Sequence, residues 1–186
     1  MKHALVIGGT GMLSGVSLWL AENNYYVSVV ARDPHKMERM IKRSANPSKL
    51  MPIFVDYSHE DELRRALLPP IRQPGPFDLV VAWIHSYANS ALYTVAEIVS
   101  KNNNRWQLYH LLGSNRDAGA VKASLAIPDN CDYHQVQLGF VIENNRSRWL
   151  TNDEISAGTI AAIRNRNDNY TLIGESGPWH RWPGNV

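Results

Sequence analysis

Ala4-Leu5-Val6-Ile7-Gly8-Gly9-Thr10-Gly11-Met12-Leu13-Ser14-Gly15 (residues 4–15) puts a short apolar run directly ahead of a glycine-rich turn. Four apolar residues broken by glycine are the pattern of a strand buried on both faces. Leu13, Val16 and Leu20, with Trp19 beside them, recur at helical spacing, so a helix follows the turn. Between a first strand and a first helix, glycines at this spacing carry a definite chemistry. Gly8 permits a tight turn, and Gly11 lets the backbone come close to a pyrophosphate. The helix behind them offers free N–H groups and the positive end of its dipole. Ser14 is the third small position and allows the helix to pack close on the strand. Gly8, Gly9, Thr10, Gly11, Met12, Leu13 and Ser14 are therefore the candidate cofactor-binding residues of a dinucleotide-binding turn. A glycine-rich turn without a ligand is the alternative.

Further along the chain, short apolar runs alternate with helical patterns. Strands are predicted over 26–31, 51–55, 77–84, 106–112, 133–142 and 170–173. Asp33-Pro34 reads as an N-cap and first helical residue, with Met37, Met40 and Ile41 on the buried face. Ser58 is the expected cap of a helix carrying Leu63, Ala66 and Leu67, which Pro69-Pro70 and Pro74-Gly75-Pro76 end. Ala88 to Ser100 has a helical face of Ala91, Leu92, Val95, Ala96 and Val99. Asn144-Asn145 is a turn, and Thr151 with Glu154 forms a capping box. The tail from Pro178 to Pro183, with Trp179 and Trp182, has no periodicity and reads as a loop. Strands alternating with helices predict an α/β fold of Rossmann type: a doubly wound, mostly parallel sheet with helices on both faces.

The 186 residues are 44% hydrophobic and 19% charged, with a formal net charge of +2. That length suits one core of ordinary size, and the expectation is a single NAD(P)-binding domain over 1–186. No long basic or acidic run points to nucleic acid or an anionic membrane surface. The lone Cys131 cannot form an internal disulfide and fits a reducing compartment. The N-terminal apolar run is too short for a signal peptide, and no stretch approaches the ~18 apolar residues of a membrane span. The expected setting is soluble and cytoplasmic. The seven histidines are scattered, with no His-Glu-x-x-His or Cys-x-x-Cys spacing, so no metal site is expected. Gly-x-Ser-x-Gly is absent, which leaves a hydrolase elbow without support.

Arg32 falls at the end of the second strand, where an acidic residue would accept the ribose hydroxyls of NAD. A guanidinium there offers a partner to a 2′-phosphate, which favours NADP; a solvated surface arginine is the plainer alternative. Asp33 keeps NAD open, although its capping role competes. Asp56 follows the third strand, with Tyr57 beside it, where it either reaches the adenine amino group or caps its own loop.

With these residues in place, Ala4 to Arg32 resembles the start of the short-chain dehydrogenase/reductase superfamily, and its glycine spacing is closer to the extended and atypical members. The resemblance runs to about residue 114. It implies one Rossmann domain with strand order 3-2-1-4-5-6-7, NAD(P), and interconversion of carbonyls and alcohols. It also implies a homodimer through the helix starting at Ala88, whose usual partner helix is shortened here. Ala82 and Trp83 stand where the family flanks the adenosine ribose.

The resemblance fails at the chemistry. The family ends its fifth strand with Ser and follows it with Tyr-x-x-x-Lys, the proton donor and the cation that lowers its pKa. Ser114 holds the serine position. The nearest tyrosine, in Tyr133-His134-Gln135-Val136-Gln137, has Gln137 in place of lysine and sits in a segment that alternates like a strand. Tyr133 is therefore not expected to supply the proton. His85, at the carboxyl end of the fourth strand, is the other catalytic candidate beside Ser114, and both also read as loop residues with structural roles. Two functions stay open: an NADP-dependent oxidoreductase with a non-standard proton donor, or a catalytically inactive NADP-binding redox sensor or regulatory protein.

Overall fold

A computed structural model of the chain describes residues 1–144, 146–177 and 183. Asn145 and the segment 178–182 lie outside the described residues, including the predicted loop around Trp179 and Trp182. The first strand, β1 (Lys2–Ile7), is the middle of a seven-stranded sheet. From Ala4 to Ile7 no side chain is exposed, as the unbroken apolar run requires. In chain order come α1 (Ser14–Glu22), β2 (Tyr25–Ala31), α2 (Pro34–Lys42), β3 (Leu50–Phe54), α3 (Glu60–Arg72), β4 (Leu79–Ala82), α4 (Asn89–Asn102) and β5 (Trp106–Leu112). Then follow α5 (Ala118–Ser124), β6 (Cys131–Leu138), β7 (Phe140–Glu143), β8 (Arg146–Trp149), α6 (Asn152–Arg164) and β9 (Tyr170–Ile173).

The sheet order is β3-β2-β1-β4-β5-β6-β9, and every pairing in it is parallel. One face carries α3 and α4, whose Leu63, Leu67, Val95 and Val99 pack on Leu5, Ile7 and Val80. The other carries α1, α2 and α6, whose Val16, Met37 and Ile155 pack on Val6, Val29 and Val81. The chain is thus a doubly wound Rossmann fold, and the carboxyl ends of all seven strands lie on one edge.

Three local expectations change. Ser58 does not cap α3: its N–H and hydroxyl both bind Asp56 Oδ1, at 2.9 and 2.7 Å, and the helix starts at Glu60 behind His59. Pro69 and Pro70 lie inside α3 rather than ending it. Each lacks an N–H for the carbonyl four residues back, but the loss falls in the last turns, and continuing the helix buries Ile71. The long segment 133–142 is two strands, because Gly139 runs against the chain after β9. A Cβ there would lie 3.0 Å from the Ile173 carbonyl oxygen and closer still to that of Glu175. The second piece, β7, pairs with β8 as an antiparallel hairpin outside the main sheet.

The capping box at α6 forms as the sequence predicts. Thr151 Oγ1 accepts from the Glu154 amide at 3.2 Å, and Glu154 Oε2 accepts from the Thr151 amide at 2.8 Å. Arg148 of β8 adds ion pairs to Glu154 and Glu143, tying the hairpin to the helix. Thr151→Ala is expected to cost about 1 kcal/mol, read as a lower urea midpoint at an unchanged m-value. An unchanged midpoint would show that Arg148 alone holds this end of α6.

Candidate cofactor and substrate site

The turn after β1 divides its glycines by task. Gly8 has φ +87°, a left-handed conformation that favours glycine. Gly9 is where helix meets sheet: a Cβ there would come within 2.7 Å of both Ser17 Oγ and Val29 Cγ1. Gly15 is where α1 meets α6, its Cβ position lying 2.8 Å from the Cβ of Ser156. The close packing expected of Ser14 is therefore done by Gly9 and Gly15, and Ser14 is half-exposed. Gly11 differs from both. A Cβ there would meet nothing within 4 Å, so the outer side of the turn is open. Leu13 contributes backbone only, its amide bonding the Gly8 carbonyl at 3.3 Å while its side chain is buried in the core.

A cleft of about 270 Å³ runs from this turn along the carboxyl edge. Gly8, Thr10, Gly11 and Met12 form one wall, Arg32 and Lys36 another, and Tyr57, Trp83 and His85 the far side. Burial raises the Tyr57 phenol above its ordinary pKa, opposed by a backbone hydrogen bond from His85. Ala82 is fully buried, so only Trp83 of that pair faces the cleft. Asp33 caps α2, its Oδ1 accepting from the amides of His35 and Lys36 at 2.9 and 3.2 Å. Asp56 is engaged by Ser58 and by Arg32, whose Nη1 lies 3.5 Å from Oδ2. The Ser58 hydrogen bonds, more than Arg32, hold its carboxyl below the ordinary value. Lys36 was missed in the sequence. Its signal is the spacing of four from Arg32 once Asp33 is taken as the N-cap.

Beyond Trp83 and His85, which line both spaces, a second cavity of about 210 Å³ opens between the ends of β4 and β5. Its wall includes His110, Asn115 and Arg116. Ser114 faces a third space of about 180 Å³ together with Gln137, Phe140 and Tyr170. Arg116 borders both of these cavities. The structure therefore puts His85 and Ser114 on neighbouring cavities rather than in one.

Tyr133 lies within β6, level with Leu108 of β5 and below the carboxyl edge. Its hydroxyl is 2.9 Å from Nδ1 of His110, a buried residue level with Ala82 at the end of β4. Burial, and to a smaller extent the Arg116 cation, pushes His110 down to about 4. Burial pushes Tyr133 up to about 12, with a hydrogen bond from Gln135 acting the other way. The same Gln135 amide donates to the Ala118 carbonyl at 2.8 Å, and Gln137 donates to the Gly113 carbonyl at 2.5 Å. Gln137, standing where a lysine would be, thus tethers the loop after β5.

No helix among the described residues is long and apolar enough to cross a membrane. No group of three or more His, Cys, Asp or Glu among them is placed to hold a metal ion. No protein-family model matches the sequence, and no curated protein matches it. Solved structures do. A short-chain dehydrogenase/reductase of Brucella melitensis, described as a glucose/ribitol dehydrogenase, is 13% identical with a TM-score of 0.72, over 95% of each chain. An alcohol dehydrogenase of the archaeon Thermococcus sibiricus, complexed with 5-hydroxy-NADP, is 13% identical with a TM-score of 0.72, over 94% of this chain and 96% of that one. A double variant of a Serratia marcescens short-chain dehydrogenase/reductase is 14% identical with a TM-score of 0.76, over 95% and 98%. At these identities the likeness is one of architecture: the chain has the fold of the short-chain dehydrogenases/reductases.

Proposed function

We propose that residues 1–186 form one cytoplasmic NADP-binding domain that acts as an oxidoreductase on a small carbonyl or alcohol. The observation that carries this reading is that two spaces share a wall. A cleft floored by an open glycine turn and flanked by Arg32 and Lys36 has Trp83 and His85 in common with a cavity at the ends of β4 and β5. The residues fit the cofactor. Gly11 leaves room for a pyrophosphate at the start of α1, and two cations stand where a 2′-phosphate would lie. Asp33, with one carboxylate oxygen given to helix capping, is the weaker partner for NAD ribose hydroxyls. Gly9, Leu13 and Ser14 complete the turn. Asp56, paired with Arg32, and Ala82, buried next to Trp83 in the chain, are the proposed support of the adenosine end.

Bound NADPH would supply the hydride. The chain has to hold the substrate, exclude water and deliver one proton to the substrate oxygen. His85 lines both spaces, is exposed, and stacks on Tyr87 at 5.5 Å between ring centres. It is the proposed proton donor, and Ser114, across Arg116, is the proposed second contact to substrate.

A second reading, an NADP-binding sensor without turnover, is favoured by one feature. Tyr133 and Gln137 are both committed to structural hydrogen bonds in place of the usual Tyr/Lys pair. The deciding experiment is calorimetric titration with NADP and NAD, followed by NADPH oxidation against a panel of aldehydes, ketones and 2-oxoacids. Tight binding without oxidation of NADPH selects the sensor, and no binding of either cofactor overturns both readings.

Cofactor choice has its own test. Removal of a charge-assisted phosphate contact costs about 1.5–3 kcal/mol, roughly ten- to a hundredfold in affinity. Arg32→Ala and Lys36→Ala are each expected to weaken NADP by that amount and NAD by less than threefold. Equal losses for the two cofactors would show that neither residue reads the 2′-phosphate.

A further inference from the structure

His110 is a buried polar residue, outside the sequence-predicted site, that nonetheless borders the cavity at the ends of β4 and β5. Its strand position fixes where it can act. His110 pairs with Ala82, the last residue of β4, and Ala82 pairs with Ile7, the last residue of β1. The imidazole thus sits at the carboxyl edge, level with the start of the cofactor turn, while Tyr133 lies one layer deeper.

The hydrogen-bond inventory fixes which nitrogen carries the proton. A buried phenol needs an acceptor for its O–H. Among the described residues the acceptor at hand for Tyr133 is His110 Nδ1, at 2.9 Å. The Gln135 amide approaches the same phenol oxygen as a donor. If Nδ1 carried the proton, the phenol hydrogen would be left buried without a partner. The stable arrangement is Gln135 donating to Tyr133, Tyr133 donating to His110 Nδ1, and the imidazole proton on Nε2. Among the described residues no carboxylate lines this cavity to compete for that N–H, and the one formal charge on its wall is the Arg116 cation.

We propose that His110 is a substrate-contacting residue of the proposed oxidoreductase, presenting a fixed Nε2–H donor to the carbonyl oxygen of an aldehyde or ketone. A neutral imidazole held in a fixed orientation stabilises negative charge developing on that oxygen without giving up its proton. The balance of the step is simple. The hydride goes to the carbonyl carbon, the carbon–oxygen π bond opens onto oxygen, and that oxygen takes one proton from His85 while His110 keeps its own. Tyr133 and Gln135 are positioning residues that hold the tautomer. The proposal rests on the oxidoreductase reading above, and its test separates the two.

The first measurement is long-range 1H–15N NMR of the histidine rings in the full chain between pH 5 and 8. His110 is expected neutral with the proton on Nε2 throughout, and Tyr133→Phe is expected to give a mixture of tautomers. A proton on Nδ1, or an imidazolium at pH 6, overturns the proposal whatever the enzyme does. The second measurement is NADPH oxidation with benzaldehyde, 2,3-butanedione and pyruvate as probes. His110→Phe should lower kcat at least a hundredfold with NADPH affinity unchanged, and Tyr133→Phe about tenfold, also in kcat. The double variant His110→Phe/Tyr133→Phe removes both partners of the phenol–imidazole bond, while the Gln135 amide keeps its bond to the Ala118 carbonyl. It controls for folding and should be as slow as His110→Phe. A kcat within threefold of the parent in a folded His110→Phe protein overturns the role of His110 and leaves the oxidoreductase standing. If the parent reduces none of the probes, the oxidoreductase reading falls and His110 falls with it.

Discussion

A protein with Gly11 replaced by valine should melt at the parent temperature and show at least a hundredfold weaker NADP binding. The two halves of that expectation come from one observation. A Cβ at Gly11 meets nothing within 4 Å, and the backbone there is not in the left-handed region, so a side chain costs the free fold little. The same open space is what a pyrophosphate would need, because the phosphate oxygens must come within hydrogen-bonding distance of the turn's amides. Valine fills it. Gly9→Val makes the opposite case in the same loop. Its Cβ would press on Ser17 and Val29 at 2.7 Å, between helix and sheet, and overpacking a core contact costs about 1–3 kcal/mol or more. That protein should melt well below the parent. Thermal unfolding and calorimetric titration of the two variants read both quantities. An unchanged NADP affinity in a folded Gly11→Val protein would mean that the dinucleotide does not sit on this turn.

The second large effect is on stability against pH. His110 is held at about 4 by burial, against an ordinary 6.5. Between these values the unfolded chain binds a proton that the folded chain refuses, so folding stability rises with pH across the window. The contribution is fully present above about 6.5, is lost as pH falls, and is gone below about 4. At about 1.4 kcal/mol per unit, a shift of that size corresponds to about 3 kcal/mol. His3 acts in the same direction: burial lowers it, against the Gly75 carbonyl at 2.7 Å and nearby Asp78, which raise it. Carboxylates such as Glu97 and Glu154, held near 2 by hydrogen bonds from Lys101 and Arg148 respectively, lose their contribution only below about 4.5. The window from 6.5 down to 4.5 therefore belongs to the buried histidines. Urea midpoints measured across it should fall steadily in the parent, and the fall should be much shallower in His110→Phe/Tyr133→Phe. An equal slope in the two proteins would place the titrating group elsewhere.

The frame of this fold was legible because its signals are local and redundant. Ala4 to Ile7, the glycines behind them, Asp33-Pro34 and Thr151 with Glu154 each announce a boundary through residues in contact along the chain. The strand over Cys131–Leu138 was also legible, and with it the displacement of Tyr133 from any active-site helix. What escaped depends on residues far apart in sequence. Gly139 interrupts a strand because of backbone beyond residue 170, and alternation along 133–142 carries no trace of that. Pro69 and Pro70 stay helical for the sake of burying Ile71, a tertiary gain that outweighs their local cost. Ser14 looked like the packing position from motif spacing, yet the contact of helix on strand falls to Gly9 against Val29, and Gly15 instead meets α6. At the site, Arg32, Tyr57, Trp83 and His85 come together as their strand ends imply. His110 was hidden because it lies inside a strand, where a histidine reads as core, and its link to Tyr133 forms across two strands.

The contact between α1 and α6 has a consequence for how the chain is made. Ser156 Oγ donates to the Met12 carbonyl at 3.0 Å, joining the glycine turn to a residue 144 positions later. On a ribosome the turn emerges well before this anchor, which lies 144 positions further along the chain. A nascent chain halted before α6 would contain β1 through β8 and the glycines, with Gly15 facing no helix and Met12 missing its hydroxyl partner. The turn would be complete in sequence and unfinished in shape until α6 has followed it and packed against α1.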